Sequence, residues 1–242
     1  MKLDARLTLF MTLVGVFLTS LLLGNLIGGK LTYIPFAGER YTLSVGEIPF
    51  PLTFVLTDIL NEFYGRRVVR RVTWLGFAMT GMAFAMIQLA ALAPWVPEAH
   101  HADWQGLPPS AFTAVFTSAT RIQIASMIAY LTAQMVDIST FFAIKRLTGN
   151  RMLWLRATGS TAISQLVDTI LVVTIAFGST LPTHTLVEIV ITSYLVKLAV
   201  AIGMTPLIYA LHGLIERVWH LQPVPLEQPG GDVGGTDEPS RP

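Results

Sequence analysis

The feature that most limits what this chain can fold into is an apolar run without a single charge, Leu7 to Ile27 (LTLFMTLVGVFLTSLLLGNLI). A helix of about 20 such residues matches the roughly 30 Å hydrocarbon core of a bilayer, where only helices and closed barrels satisfy their own backbone hydrogen bonds. Lys2 and Arg6 precede the run as a signal peptide's basic region would. The run is too long for that role and no small-residue cleavage site follows, so it reads as a retained anchor. Further runs lie at Val72 to Ala93, Thr113 to Ala143, Leu155 to Phe177 and Leu186 to Leu211. Charged residues make only 13% of the chain and mean hydropathy is +0.59, whereas a soluble domain carries about 25% charge. Cysteine is absent, which excludes a disulfide scaffold and a thiolate metal site.

Between the first two runs, Pro49 to Tyr64 is short and interrupted by Asp58, Asn61 and Glu62, too polar to face lipid and expected to pack inside a bundle. The expectation is an all-α polytopic membrane protein with six transmembrane helices, the second short and polar. Gly28 to Glu47, with Gly, Pro and alternating aromatics, reads as an external loop, hairpin or re-entrant segment. The fourth span, about 31 residues and about 46 Å long as a helix, must tilt or project. Residues 1–221 form the membrane domain, and Gln222 to Pro242 a Pro/Gly-rich disordered tail.

The cations orient the chain. Lys2, Arg6, Arg66, Arg67, Arg70, Arg71, Lys145, Arg146, Arg151, Arg156 and Arg217 all fall on one side, while Pro94 to Phe112 and Gly178 to Thr185 contain none. Only Lys30 and Arg40 oppose the pattern, so both termini are expected in the cytoplasm of a multi-pass inner-membrane protein. Cations spread in this way make no nucleic-acid face.

Six ionisable groups remain within the spans: Asp58, Glu62, Arg121, Asp137, Asp168 and Lys197. Each costs about 2.5 to 3.5 kcal/mol at mid-membrane, so they pair, line a wet cavity or bind something. Gln134 and Asp137 in AQMVD repeat as Gln165 and Asp168 in SQLVD, each Gln and Asp sharing a helical face. Ser126 and Tyr130 extend the first face, Thr161 the second. The two helices run antiparallel, and the two amides lie at similar depth, so these faces either meet in one cavity or form two separate interhelical pairs. Asp58 and Glu62, one turn apart, repel unless something neutralises them. For Glu62 the ordinary alternative is a surface salt bridge to Arg66 at i+4. Lys197 is the natural internal partner of Asp58, Asp137 or Asp168. Arg121 points away from the Gln134 face and has snorkelling as its ordinary role.

No H-E-x-x-H or histidine cluster marks a metal site, no glycine-rich phosphate loop is present, and no nucleophile elbow appears. Neither catalytic residue nor cofactor is expected.

FPLTFVLTDILNEFYGRR, RIQIASMIAYLTAQMVD, LWLRATGSTAISQLVDT and K-x7-TP-x2-Y (Lys197, Thr205, Pro206, Tyr209) together resemble the queuosine precursor transporter family, also described as vitamin-uptake-transporter-like. The resemblance spans Asn25 to Tyr209 and implies a six-span bacterial importer of 7-cyano- or 7-aminomethyl-7-deazaguanine. It marks Asn25, Lys30, Asp58, Glu62, Arg121, Gln134, Asp137, Arg156, Gln165, Asp168 and Lys197 as family-typical. A deazaguanine offers adjacent N–H donors to a carboxylate and an O6 acceptor to Gln, Lys or Arg, and its flat ring suits stacking on Tyr130 or Phe54. The expected substrate-binding set is Asn25, Asp58, Arg121, Tyr130, Gln134, Asp137, Gln165, Asp168 and Lys197, with Asp58 or Glu62 as a proton relay. Expected partners are the 7-deazaguanine and the bilayer, with a homo-oligomer open. Two rivals stand beside this reading: the capture subunit of an ATP-driven importer, and an intramembrane aspartyl protease using two carboxylates.

Overall fold

The structure is a computed structural model and describes residues 4–28, 30–36, 39–95, 106–117, 120–149 and 151–225. Its helices are α1 (Ala5–Ile27), α2 (Phe50–Tyr64), α3 (Arg66–Leu92), the short α4 (Pro109–Phe112), α5 (Thr120–Thr148), α6 (Leu153–Phe177) and α7 (Thr183–Val218). Strands β1 (Leu31–Phe36) and β2 (Glu39–Ser44) form an antiparallel hairpin between α1 and α2, with Leu31 opposite Ser44. The loop expected there is therefore a hairpin. A 3-10 turn over Val45–Glu47 leads from it into α2.

The chain is a polytopic helical membrane protein. Among the described residues, five helical stretches, those of α1, α3, α5, α6 and α7, are long and apolar enough to cross a bilayer. Met82, Met86 and Leu89 on α3 and Val187, Ile191 and Leu195 on α7 are exposed, a surface that lipid covers at no cost and water does not. The second segment behaves differently: α2 has 15 residues, about 22 Å of helix, and Thr53 to Phe63 are buried except Phe54. Its polar side chains face other helices.

Helix ends follow local chemistry. Asp4 caps α1 by accepting from the Arg6 amide, 3.5 Å. Pro51 sits in the first turn of α2, where its missing N–H costs nothing. Gly65, at φ +80° and ψ 168°, separates α2 from α3, a conformation that suits only glycine. Pro206 lies inside α7, and Thr205 Oγ1 donates to the Ala201 carbonyl and shares a 3.0 Å hydrogen bond with Thr158 of α6.

The most extensive helix pair is α5 with α6. Ala125, Ala129 and Ala133 recur every fourth residue on α5 and are buried, as are Ala157, Ser160 and Ser164 on α6. Small side chains let two backbones approach closely without lipid between them. The next position in that α5 series is Asp137, which is thereby carried into the interface.

Two boundaries differ from the sequence reading. The helices extend past the apolar runs, α3 beginning at Arg66 and α5 ending at Thr148, so Arg66 to Arg71 and Lys145 lie on helix ends rather than in loops. Glycines at positive φ, Gly65 ahead of α3 and Gly149 after α5, mark these boundaries, not hydropathy. The start of the expected tail is docked: Val224 donates its N–H to the Glu62 carbonyl, 2.8 Å; residues 226–242 lie outside the described residues.

Candidate functional site

A cavity of about 320 Å³ lies within the end of the bundle formed by the C-terminal parts of α1 and α6 and the N-terminal parts of α2, α5 and α7. Its polar lining includes Asn25, Glu47, Gln123, Ser126, Tyr130, Gln134, Asp137, Ser164, Gln165, Asp168, Ser193 and Lys197. The two Q-x-x-D faces therefore meet in one cavity. Gln134 Nε2 donates to Thr57 Oγ1 at 3.4 Å, and Ser164 Oγ donates to Asp137 Oδ1 at 3.1 Å. Lys197 Nζ lies 3.0 Å from Asp168 Oδ2, the choice among three carboxylates that the sequence left open. The same ammonium sits 5.6 Å from the centre of the Phe50 ring, within cation–π range.

Three buried amide oxygens in the lining determine what it can do: Gln123 Oε1, Gln134 Oε1 and Gln165 Oε1 have no hydrogen-bond partner among the described residues, whereas Asp137 accepts from the hydroxyls of Ser160 and Ser164. A buried acceptor without a donor costs about 1 to 3 kcal/mol. The cavity thus offers acceptors to any solute that brings hydrogen-bond donors.

Other expected site residues take different places. Asn25 lines the cavity and donates Nδ2 to the Leu21 carbonyl at 3.0 Å. Tyr130 contributes its ring to the wall, but its hydroxyl donates to the Thr73 carbonyl of α3, 3.3 Å, against Gly76. Phe54 also lines it. Arg121 does not: it is exposed, and its Nε donates to the Ile175 carbonyl at 3.1 Å, beyond the cavity wall. Asp58 lies outside the lining too, one turn deeper on α2, beside Thr161 and Ala201 in a narrow crevice. It stands in the electrostatic field of Asp137, Glu62 and Arg156.

Glu62 overturns the surface-pair expectation. It is 1% exposed and binds Arg156, with Nη2 to Oε1 at 2.6 Å and Nε to Oε2 at 3.0 Å, and Lys145 Nζ at 3.3 Å. Arg66 instead reaches Ser139 Oγ at 3.5 Å. Glu62 thus joins Lys145 and Arg156 in one buried ion cluster, with Asp58 one turn away on α2.

Sequence reasoning missed the cavity residues Gln123, Ser193 and Glu47, the last of these charged. Gly46 packs so closely on α1 that a Cβ there would overlap the Gly24 carbonyl oxygen and lie 2.8 Å from Gly28 Cα. Ser44 Oγ fixes the turn by donating to the Gly28 carbonyl at 2.7 Å and accepting from the Gly46 amide at 3.1 Å. Burial raises the Glu47 pKa; nearby Lys197 partly offsets this and Asp168 adds to it. Its only sequence signal was its place just ahead of the proline-bounded start of α2.

A polytopic bundle with a polar, solute-sized cavity toward one end and a buried ion cluster at the other has the build of a membrane transporter. The family described as "Putative vitamin uptake transporter" matches residues 44–211, and the chain belongs to that family. It is 32% identical over 176 residues to a Bacillus subtilis (strain 168) protein named "Probable queuosine precursor transporter", covering 72% of this chain and 73% of that one. It is 29% identical over 149 residues to the Escherichia coli (strain K12) "Queuosine precursor transporter", covering 61% of each. No solved structure matches.

Proposed function

We propose that this protein imports queuosine precursors, 7-cyano- or 7-aminomethyl-7-deazaguanine, across the bacterial inner membrane by alternating access around the α2–α5–α6–α7 cavity. The relatives' names supply the substrate class. The observation that supports the reading is the set of three partnerless amide oxygens, Gln123 Oε1, Gln134 Oε1 and Gln165 Oε1, beside Asp137 in one cavity. A deazaguanine ring presents N1–H, an exocyclic amine and a pyrrole N–H, donors enough for all three acceptors. The cavity's size is at the lower end of the 300–1,000 Å³ common for small-molecule sites, which suits a bicyclic base.

The helix ends around Glu62 carry Arg6, Arg66, Arg67, Arg70, Arg71, Arg146, Arg151 and Arg217. Removing the buried Lys145 and Arg156 from the count leaves this bias intact, so that end is assigned to the cytoplasm and the cavity end to the outside. Asp58, between Asp137 and the Glu62 cluster, is the assigned proton relay if import is proton-coupled.

The test is rescue of a strain unable to make 7-deazaguanines. The wild-type chain is expected to restore the modified tRNA base at low external precursor, and Gln165→Leu and Asp168→Ala, inserted at equal levels, to need at least tenfold more precursor. Equal rescue by both variants contradicts the site.

A further inference from the structure

At the end opposite the cavity, three helices are joined through one carboxylate: Glu62 of α2 binds Lys145 of α5 and Arg156 of α6, and the two cations are 0% and 2% exposed. The chain then returns from the end of α7 and seals the cluster. The Val224 N–H donates to the Glu62 backbone carbonyl at 2.8 Å, and the Val224 carbonyl accepts from Lys145 Nζ at 3.0 Å. Its side chain rests on the Gly65 turn, where a Cβ would lie 3.5 Å from Val224 Cγ1.

The local sequence suits this contact. Pro223 and Pro225 flank Val224; proline fixes φ, lacks an N–H and biases the preceding residue toward extended backbone. The Pro-Val-Pro segment is therefore a preset extended piece offering a single donor, and that donor is spent on Glu62. Gln222 and Pro225 on either side are exposed, so the segment is held at one point.

We propose that Gln222–Pro225 is a strap that holds the Glu62–Lys145–Arg156 cluster closed, and that the passage between α2, α5 and α6 opens at this end only when Val224 leaves. While Val224 is seated, Lys145 has no water to turn to, and separating the three helices means breaking the ion cluster into an apolar surround. With Val224 gone, Lys145 gains solvent as a substitute partner and the helices can part. The strap's own hold is two hydrogen bonds, far less than the cluster it covers, which makes it the step that opens first.

The chain has no cysteine, so single reporters read the opening directly. Ala157→Cys, fully buried beside Arg156, reports on the cluster, and Ala129→Cys, fully buried between α5 and α6, reports on general loosening. Each full-length protein is placed in vesicles with the cluster end facing a membrane-impermeant maleimide, without solute, so the outcome does not depend on what is transported. Val224→Pro removes the N–H, and is expected to raise labelling at residue 157 about tenfold while leaving residue 129 unchanged. Val224→Ala keeps both backbone groups and is expected to label as the parent does. Unchanged labelling at 157 in Val224→Pro, or an equal rise at both reporters, overturns the proposal.

Discussion

Glu62 shows how far a single residue's role depends on partners distant in the chain. Its i+4 neighbour Arg66 is the obvious local choice, yet the cations that bind it are 83 and 94 residues away. No spacing rule connects such positions in one sequence. Breaking a buried ion pair from one side leaves uncompensated charge and costs about 3 to 5 kcal/mol, so Glu62→Gln is expected to lower the denaturation midpoint sharply in detergent. Arg66→Ala, which loses one 3.5 Å contact at the surface, is expected to change stability by less than about 0.5 kcal/mol. Glu47 gives a pH signature. An acid whose folded pKa is raised binds more protons folded than unfolded, so its contribution is complete below the unfolded value and is lost as pH rises through the folded one. Glu47→Gln is therefore expected to flatten the fall in stability above the ordinary carboxylate range; an unchanged pH–stability curve contradicts that role. The Q-x-x-D repeats were legible because a spacing of three fixes a shared face on any helix.

Elements were legible where lipid dictates them and less so where packing does. The uncharged run of α1 and the polar interruptions of α2 translate directly into a long lipid-facing helix and a short buried one. The ends of α3 and α5 did not, because backbone hydrogen bonding continues past the last apolar residue. The small-residue stripe of α5 explains the depth of Asp137 better than hydropathy does, since its alanines are where α6 comes closest. Ala129→Leu, adding bulk at a fully buried position, is expected to cost about 1 to 3 kcal/mol and to push α5 from α6, measured as a lower unfolding midpoint together with weaker solute binding. The Val45–Glu47 turn works in the same way. Gly46→Ala would drive a methyl into the α1 backbone, so it is expected to displace Glu47 and reduce uptake while Gly15→Ala, with open space around it, leaves uptake unchanged.

At the scale of the molecule, the bundle is polarised. The unpartnered acceptors gather between the halves of the helices at the cavity end, and the charges that join α2, α5 and α6 gather at the other end, with Asp58 between them. The sequence supplied both groups of residues without showing that they form separate layers, because depth and face along each helix were readable and the setting of one helix against another was not. Arg121, read as pointing away from the Gln134 face, is indeed off the lining. The arrangement is that of a transporter closed at the ion-cluster end, with its cavity on the other side of the closure. The central claim is that Gln134, Asp137 and Gln165 together recognise a 7-deazaguanine. The most direct measurement is calorimetric titration of the purified full-length protein with 7-cyano-7-deazaguanine, alongside Gln165→Leu. Saturable one-site binding that weakens at least tenfold in the variant, with guanosine failing to compete, is the predicted result; no binding, or equal affinity in both proteins, contradicts it.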